Sequence, residues 1–314
     1  QSTRSEVPGA FAFTSDIERT KTQRFFSVQT NQDPSPVPLQ LDALRHMGLI
    51  GQINVQRIRK ISLFLASTNL GVFIMAATLN SEAQVSVTIG QNFTGDTYGV
   101  VSQALPPDSN GVIGPTRFMS FINGVVTVFN RTNGASVYRK SDLIFWSNAG
   151  INTSAIGVSD PRVIYDPATQ RWFATQVDFD PSAPDPTAEG NDFLLGVSTT
   201  SNPAGPWKAF MITADPDNGY FADFPTLGLD GDAVYISGDF YSAGQIPQGP
   251  GLLSIPKADL TNASPTVANM TWYGVMDYSV RGDVLQPAVC LDGSASGSIL
   301  AMGDIGSDSN PHSN

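Results

Sequence analysis

Three segments of the chain share one spacing, a Pro, a short apolar strand and an Asp five positions after the Pro. They are Pro161-R-V-I-Y-Asp166, Pro225-T-L-G-L-Asp230 and Pro287-A-V-C-L-Asp292, with prolines 64 and 62 residues apart. A second strand ending in Asp follows each time: R-W-F-A-T-Q-V-Asp178, A-V-Y-I-S-G-Asp239 and S-I-L-A-M-G-Asp304. The first two units continue with a third strand, D-F-L-L-G-V-S-T-T or G-L-L-S-I-P, and a fourth, W-K-A-F-M-I-T or M-T-W-Y-G-V-M. Four short strands per unit, punctuated by Gly, Pro, Asn and Asp, are the pattern of a β-propeller blade. The Pro lacks an N–H for a ladder and belongs at a strand start or bulge. The Asp suits the tight turn to the next strand.

A blade is apolar on both faces and needs neighbours to cover them. The expected fold is therefore all-β, a propeller of four-stranded blades. A β-sandwich is the rival, but it does not explain the recurring Pro-to-Asp spacing. Residues 115–159, with two strands joined by Asn123-Gly124 and a turn at R-T-N-G, read as a more divergent first blade. The others are expected at about 160–222, 223–284 and 285–314, the last truncated, so the propeller is expected to be incomplete at its C-terminus.

Residues upstream of the repeats read differently. The longest apolar stretch, residues 61–79, follows Arg57, Arg59 and Lys60 and precedes Ser81-Glu82-Ala83. A basic region, an apolar region and a small-x-small site in that order make a secretory signal peptide, assigned to 47–83. The rival is a retained anchor, since about 19 residues can span a bilayer. Membrane contact is expected only during export. Residues 1–46 show no sustained period and read as a non-native upstream extension, and 84–114 as a lead-in. Charge changes at the same boundary: residues 1–84 hold 8 basic and 6 acidic residues, residues 85–314 hold 9 and 22. All but one of those 22 acids are Asp, the exception being Glu189. Asp favours turns and strand ends over helix interiors, so the exported part is expected to be nearly helix-free.

Composition removes several chemistries. The net charge of −11 disfavours nucleic acid, which is bound through Lys and Arg. A single cysteine, Cys290, excludes an internal disulfide framework and Cys-based zinc sites. The two histidines, His46 and His312, lie outside the expected core, leaving no Ser-His-Asp or Cys-His catalyst there.

Candidate sites must use carboxylates, amides, aromatics or Arg. Asp178 and Asp180 open an Asp-rich loop that also holds Asp185, Glu189 and Asp192, and Asp215, Asp217 and Asn218 form a D-x-D-N core. Both offer oxygens to Ca²⁺, the one cofactor expected. The second departs from the EF-hand pattern because its Gly comes one residue early. Solvated turns are the favoured alternative at both. Asp160, Asp223, Asp166, Asp230 and Asp292 recur near blade starts. A catalytic pair need occur only once, so repetition favours a turn-forming role, and no catalytic residue is assigned. Arg117, Arg131, Arg139, Arg162, Arg171 and Arg281 show no convergence. Tyr220 and Phe221 are the aromatic pair expected to be exposed, and with Asp223 and Asp160 they make the candidate ligand-binding set.

The stretch P-P-D-S-N-G-V-I-G-P (residues 106–115) and the following F-I-N-G-V-V-T-V-F-N-R-T-N-G resemble the opening of a group of large secreted bacterial proteins. So do D-P-R-V-I-Y-D-P-A-T-Q-R-W-F and D-F-P-T-L-G-L-D-G-D-A-V-Y-I-S. The resemblance implies a sialidase-like or propeller fold, often fused to adhesion or surface-anchoring modules, in a secreted or cell-surface bacterial protein. V-S-T-T-S-N-P-A-G-P-W (residues 197–207) resembles a blade signature of five-bladed glycosidases. Two functions stay open. One is an extracellular binding or adhesion module for a glycan or surface protein. The other is a carbohydrate-active hydrolase, glycosidase or sialidase-like, with catalytic residues partly outside this chain.

Overall fold

The computed structural model describes residues 90–294 and 297–302. The expected upstream extension, the signal peptide and Asp304 lie outside the described residues. Among the described residues no helix is long and apolar enough to cross a membrane.

Three four-stranded antiparallel sheets follow one another along the chain, each a simple meander. The first comprises β1 (Asn110–Ile113), β2 (Arg117–Ile122), β3 (Val125–Asn130) and β4 (Ser136–Lys140). The second comprises β5 (Gly157–Asp166), β6 (Arg171–Phe179), β7 (Asp192–Ser198) and β8 (Trp207–Thr213). The third comprises β9 (Phe221–Leu229), β10 (Ala233–Ser242), β11 (Ile246–Pro256) and β12 (Thr271–Val275). A fourth sheet pairs β13 (Asp283–Pro287) with β14 (Ile299–Met302). The first strand of each sheet lies against the first strand of the next, β1 on β5, β5 on β9 and β9 on β13. The protein is thus all-β, built of propeller-type blades with β1, β5, β9 and β13 innermost.

The prolines that announced the repeat sit on three of those inner strands. Pro161 and Pro225 stand where the ladder slips, between Ser159 and Arg162 on β5 and between Asp223 and Thr226 on β9. A bulge leaves a position without a ladder bond, which a residue lacking N–H can fill. Pro287 ends β13, paired with Ile299. The repeated Asp residues close turns. Asp166 accepts from the Ala168 N–H at 3.1 Å, Asp230 from the Asp232 and Ala233 N–H groups at 2.8 Å, and Asp292 from the Ser294 N–H at 2.9 Å.

The second sheet shows why these strands read as nearly unbroken apolar runs. Alternate residues point to opposite faces, and here both faces are covered. Trp172, Ala174 and Leu194 join the core shared with the first sheet, including Phe121, Phe145 and Trp146. Phe173, Val177, Phe193 and Leu195 join the core shared with the third, including Leu229, Ile236 and Phe240.

One feature departs from expectation. Strand β1, four residues long, lies within the stretch read as lead-in, which lacks the Pro-to-Asp spacing of the later inner strands. As expected of a nearly helix-free part, helix among the described residues is confined to short pieces: α1 (Asp142–Asn148), α2 (Lys257–Thr261), α3 (Tyr278–Arg281) and a 3-10 turn at Pro186–Ala188. Helix α1 starts at Ser141, whose side chain accepts from the Ile144 N–H, with Asp142 in the first turn. It buries Phe145 and Trp146, and the Trp146 indole N–H donates to Gln176 Oε1 at 2.6 Å. That hydrogen bond ties the first sheet's connection to the second sheet.

Close approach of the third and fourth sheets depends on Gly228. A Cβ there would lie 2.5 Å from Pro287 Cβ and 2.6 Å from the Pro287 carbonyl oxygen. Backbone cannot swing aside like a flexible side chain, so Gly228→Ala is expected to cost about 1–3 kcal/mol. A thermal melt followed by far-UV circular dichroism should show a fall of several degrees, and an unchanged melt would contradict this packing.

Candidate functional site

All four inner strands carry a non-glycine residue, or are preceded by one, in the left-handed region near their starts. These are Asp108 at φ 39°, Asp160 at 60°, Phe224 at 50° and Val284 at 52°. Such backbone costs of order 1–3 kcal/mol per residue and persists only where surroundings enforce it, commonly at functional sites. It brings carboxyls together here. Asp108 precedes β1, Asp160 lies on β5, and Asp223 lies on β9 beside Phe224. The Asp160 carboxyl lies close enough to those of Asp108 and Asp223 to raise both. Asp239, which faces Asp223 across the β9–β10 ladder, adds a fourth negative group.

The hub of the cluster is Asn123, in the β2–β3 turn and 7% exposed. Its Nδ2–H donates to Asp108 Oδ2 at 2.6 Å, and its Oδ1 accepts from the Asp160 N–H at 2.8 Å. The side chain thus fixes an acid from the first sheet and the backbone of an acid from the second. Asp223 Oδ1 accepts from the Phe224 N–H at 2.8 Å. Arg162, two residues beyond Asp160, places its guanidinium 5.0 Å from the centre of the Phe224 ring. Phe224 is 44% exposed, so an aromatic ring stands open beside the carboxyls, with the half-buried guanidinium against it.

Electrostatics make the cluster a proton store. Burial pushes Asp108 up to about 6, reinforced by the neighbouring Asp160 carboxyl, with Arg162 pulling the other way. Burial pushes Asp223 up to about 7, reinforced by repulsion from Asp160 and Asp239. Adjacent carboxyls cannot all ionise cheaply, so a proton is retained near neutrality. The arrangement can donate from a neutral carboxyl and accept at an ionised one.

The structure divides the recurring acids into two sets. Asp160 and Asp223 join the cluster near the starts of the inner strands. Asp166, Asp230 and Asp292 serve turns after them. Of the arginines, Arg162 lies near the carboxyls, where its charge pulls Asp108 down, and it stands against the Phe224 ring. The exposed aromatic pair is also revised. Phe221 is 6% exposed as the first residue of β9, and Tyr220 is half-buried against the core of the second and third sheets. The open ring is Phe224. Asp108, Asn123, Phe224 and Asp239 were not anticipated as site residues. The only local signal was an Asp one or two positions before Pro161 and Pro225.

The two loops proposed for Ca²⁺ spend their carboxylates on their own backbone. Asp215 accepts from the N–H groups of Asp217, Asn218 and Tyr220 at 3.1, 3.3 and 3.2 Å, and Asp217 accepts from the Trp272 indole N–H at 3.0 Å. Asp180 accepts from the Ser182 N–H and hydroxyl, and buried Asp178 from the Asp192 N–H at 2.7 Å. Among the described residues, no three His, Cys, Asp or Glu side chains are grouped as a metal ion would need.

No family model matches the chain, and no curated protein matches it. Solved structures do. A GH43 endo-arabinanase from Bacillus licheniformis is 13% identical with a TM-score of 0.35, covering 58% of this chain and 60% of its own. An exo-β-1,3-galactanase from Clostridium thermocellum is 10% identical with a TM-score of 0.31, covering 58% and 50%. The galactose complex of an exo-β-1,3-galactanase from Phanerochaete chrysosporium is 15% identical with a TM-score of 0.34, covering 57% and 40%. The chain spans about half the length of these structures.

Proposed function

We propose that this protein binds a neutral glycan where the starts of its inner strands converge, as a secreted or cell-surface module. The observation that carries the reading is the Asp108–Asp160–Asp223 cluster, gathered at the inner strands of three successive sheets, with Asn123 hydrogen-bonded to Asp108 and to the Asp160 backbone. Carboxyls in mixed protonation states accept from sugar hydroxyls and donate to them, and the open Phe224 ring offers a face for a pyranose. Export rests on the reading of residues 57–83, and the likeness of residues 106–115 to secreted bacterial proteins supports it.

Glycosidic hydrolysis is the second reading, favoured by one observation. Asp223, pushed up to about 7, suits a general acid near neutral pH. Carboxyls flanking a glycosidic bond stand at least ~5 Å apart, more than adjacent members of this cluster allow. An acid–base pair would therefore be Asp108 and Asp223, with Asp160 between them.

The test is a glycan array and a panel of chromogenic glycosides, run on the protein and on Asp160→Asn. Asn tolerates the left-handed backbone of position 160, so the variant should keep its melting temperature. Glycan retention should fall at least tenfold in Asp160→Asn, and any glycoside turnover should disappear. Retention equal to that of the unsubstituted protein, or no glycan retained by either, would defeat the proposal.

A further inference from the structure

A second concavity lies at the same end of the second sheet. It is an open cleft of about 420 Å³, lined by Ala155, Ile156, Asp178, Phe179, Asp192 and Thr213 among others. Its wall takes in the residues just before β5, the end of β6, the start of β7 and the end of β8. It therefore runs outward across the whole sheet end. The carboxyl cluster sits at its inner margin, since Val158, two residues before Asp160, is paired with Asp178. With strands about 4.8 Å apart, Asp192 on β7 stands roughly 10 Å further out than Asp160 on β5. That distance exceeds one pyranose ring.

The lining is mixed, with apolar Ala155, Ile156 and Phe179 beside polar Asp178, Asp180, Asn191, Asp192 and Thr213. Phe179 pairs with Gly157, whose missing side chain leaves room for the ring to lie across β5. A Cβ on Gly157 would come within 2.3 Å of that ring. The half-buried ring thus forms an apolar wall, with Ile156 and Ala155 beside it. Asp178 is 6% exposed and lines the cleft. Burial, with repulsion from Asp192, pushes it up to about 6, so it also changes protonation in the range where the cluster does. None of these residues takes part in the carboxyl cluster.

We infer that the cleft extends the cluster into a binding path for an oligosaccharide, with Phe179 and Asp180 contacting sugar units beyond the one held at Asp160. The inference rests on the glycan reading above and adds chain length to it. A ligand of one unit reaches only the cluster; a ligand of several lies along the end of the second sheet.

Calorimetry with glucose, galactose and arabinose, each as mono-, di- and tetrasaccharide, tests this on the full chain. The tetrasaccharide of at least one sugar should bind at least tenfold more tightly than its monosaccharide. Phe179→Ala should erase that gain and leave monosaccharide affinity unchanged, whereas Asp160→Asn should weaken both. Asp180→Ala, at an exposed position, should also reduce the gain and guards against misfolding of the Phe179 variant. Equal affinity for all chain lengths, with Asp160→Asn still weakening them, would overturn the cleft and leave the cluster reading intact. A length gain untouched by either cleft substitution would overturn it too. Absence of binding by every sugar would overturn both.

Discussion

Lys257→Met is expected to destabilise the protein by about 3–5 kcal/mol, the usual effect of removing one partner from a buried ion pair. Lys257 opens α2 in the third sheet's last connection, and its side chain is 5% exposed. Its ammonium lies 3.1 Å from Asp166 Oδ2, at the end of β5 in the second sheet, and donates to the Asp230 carbonyl oxygen at 2.5 Å. It therefore joins the turns of two neighbouring sheets. Burial alone would raise Asp166, but hydrogen bonds from Thr169, Lys257 and the Ala168 N–H hold its carboxyl below the ordinary range. Methionine keeps much of the apolar stem while deleting the charge, so the loss measures the ion pair and its hydrogen bond. Asp166→Asn in the same chain neutralises the stranded carboxylate and keeps an acceptor for Ala168, and should recover part of the loss. A lowered folded-state value means that the contribution of Asp166 is present above about 3.8 and is lost as pH falls. The Lys257→Met deficit should accordingly shrink in acid. Urea midpoints at pH 7 and pH 3 give the answer, and a deficit under about 1 kcal/mol at pH 7, the range of an exposed pair, would mean that the pair is not buried in solution.

The carboxyl cluster predicts the opposite pH trend. Asp108 and Asp223 hold protons in the folded protein up to about 6 and 7, while the unfolded chain releases them near the ordinary 3.8. Stability falls with pH wherever the folded state binds more protons. The cluster's contribution is thus complete below about pH 4 and declines as pH rises through 7. Asp223→Asn removes the group with the larger shift and keeps an acceptor for the Phe224 N–H. At pH 8 it should be more stable than the unsubstituted protein by on the order of 2 kcal/mol, and at pH 4 nearly equal to it. The same variant should lose glycan retention. Greater stability with weaker function is the trade expected where like charges are held together for use. Thermal melts between pH 4 and 8 decide it: an identical slope in both proteins would show that Asp223 is not a proton-holding group.

The blades were legible in the sequence because turn chemistry and strand length repeat on a fixed period. Pro161 and Pro225 mark bulges, and Asp166 and Asp230 mark the turns five residues later. Strand β1 escaped notice because it lacks both the Pro and the turn-closing Asp at that spacing. Helix α1 escaped because D-L-I-F-W-S-N alternates poorly, and its Ser141 cap is one residue among many similar loop serines. The site was half legible. Asp160 and Asp223 could be listed as candidates, yet their repetition argued for turns, which is what Asp166, Asp230 and Asp292 do. What separates the two sets is a left-handed residue beside each bulge, and single-sequence patterns do not report backbone handedness for Asp or Phe. Asn123 was read as half of a hairpin turn. Its second role, binding a residue 37 positions later, arises only when two sheets meet.

Several side chains of an earlier sheet bond to the backbone of the sheet that follows. Asn110 and Asn123 receive the N–H groups of Val163 and Asp160, the Thr226 hydroxyl donates to the Leu285 carbonyl, and Asp239 receives the Val284 N–H. During synthesis each sheet therefore emerges with polar groups whose partners have not yet left the ribosome. Every completed unit is a template with a vacancy of defined shape, and the next segment is selected by filling it. Assembly then has a built-in direction, from the amino end onward, and a delay at any one unit would leave water, or another chain, at its unfinished border.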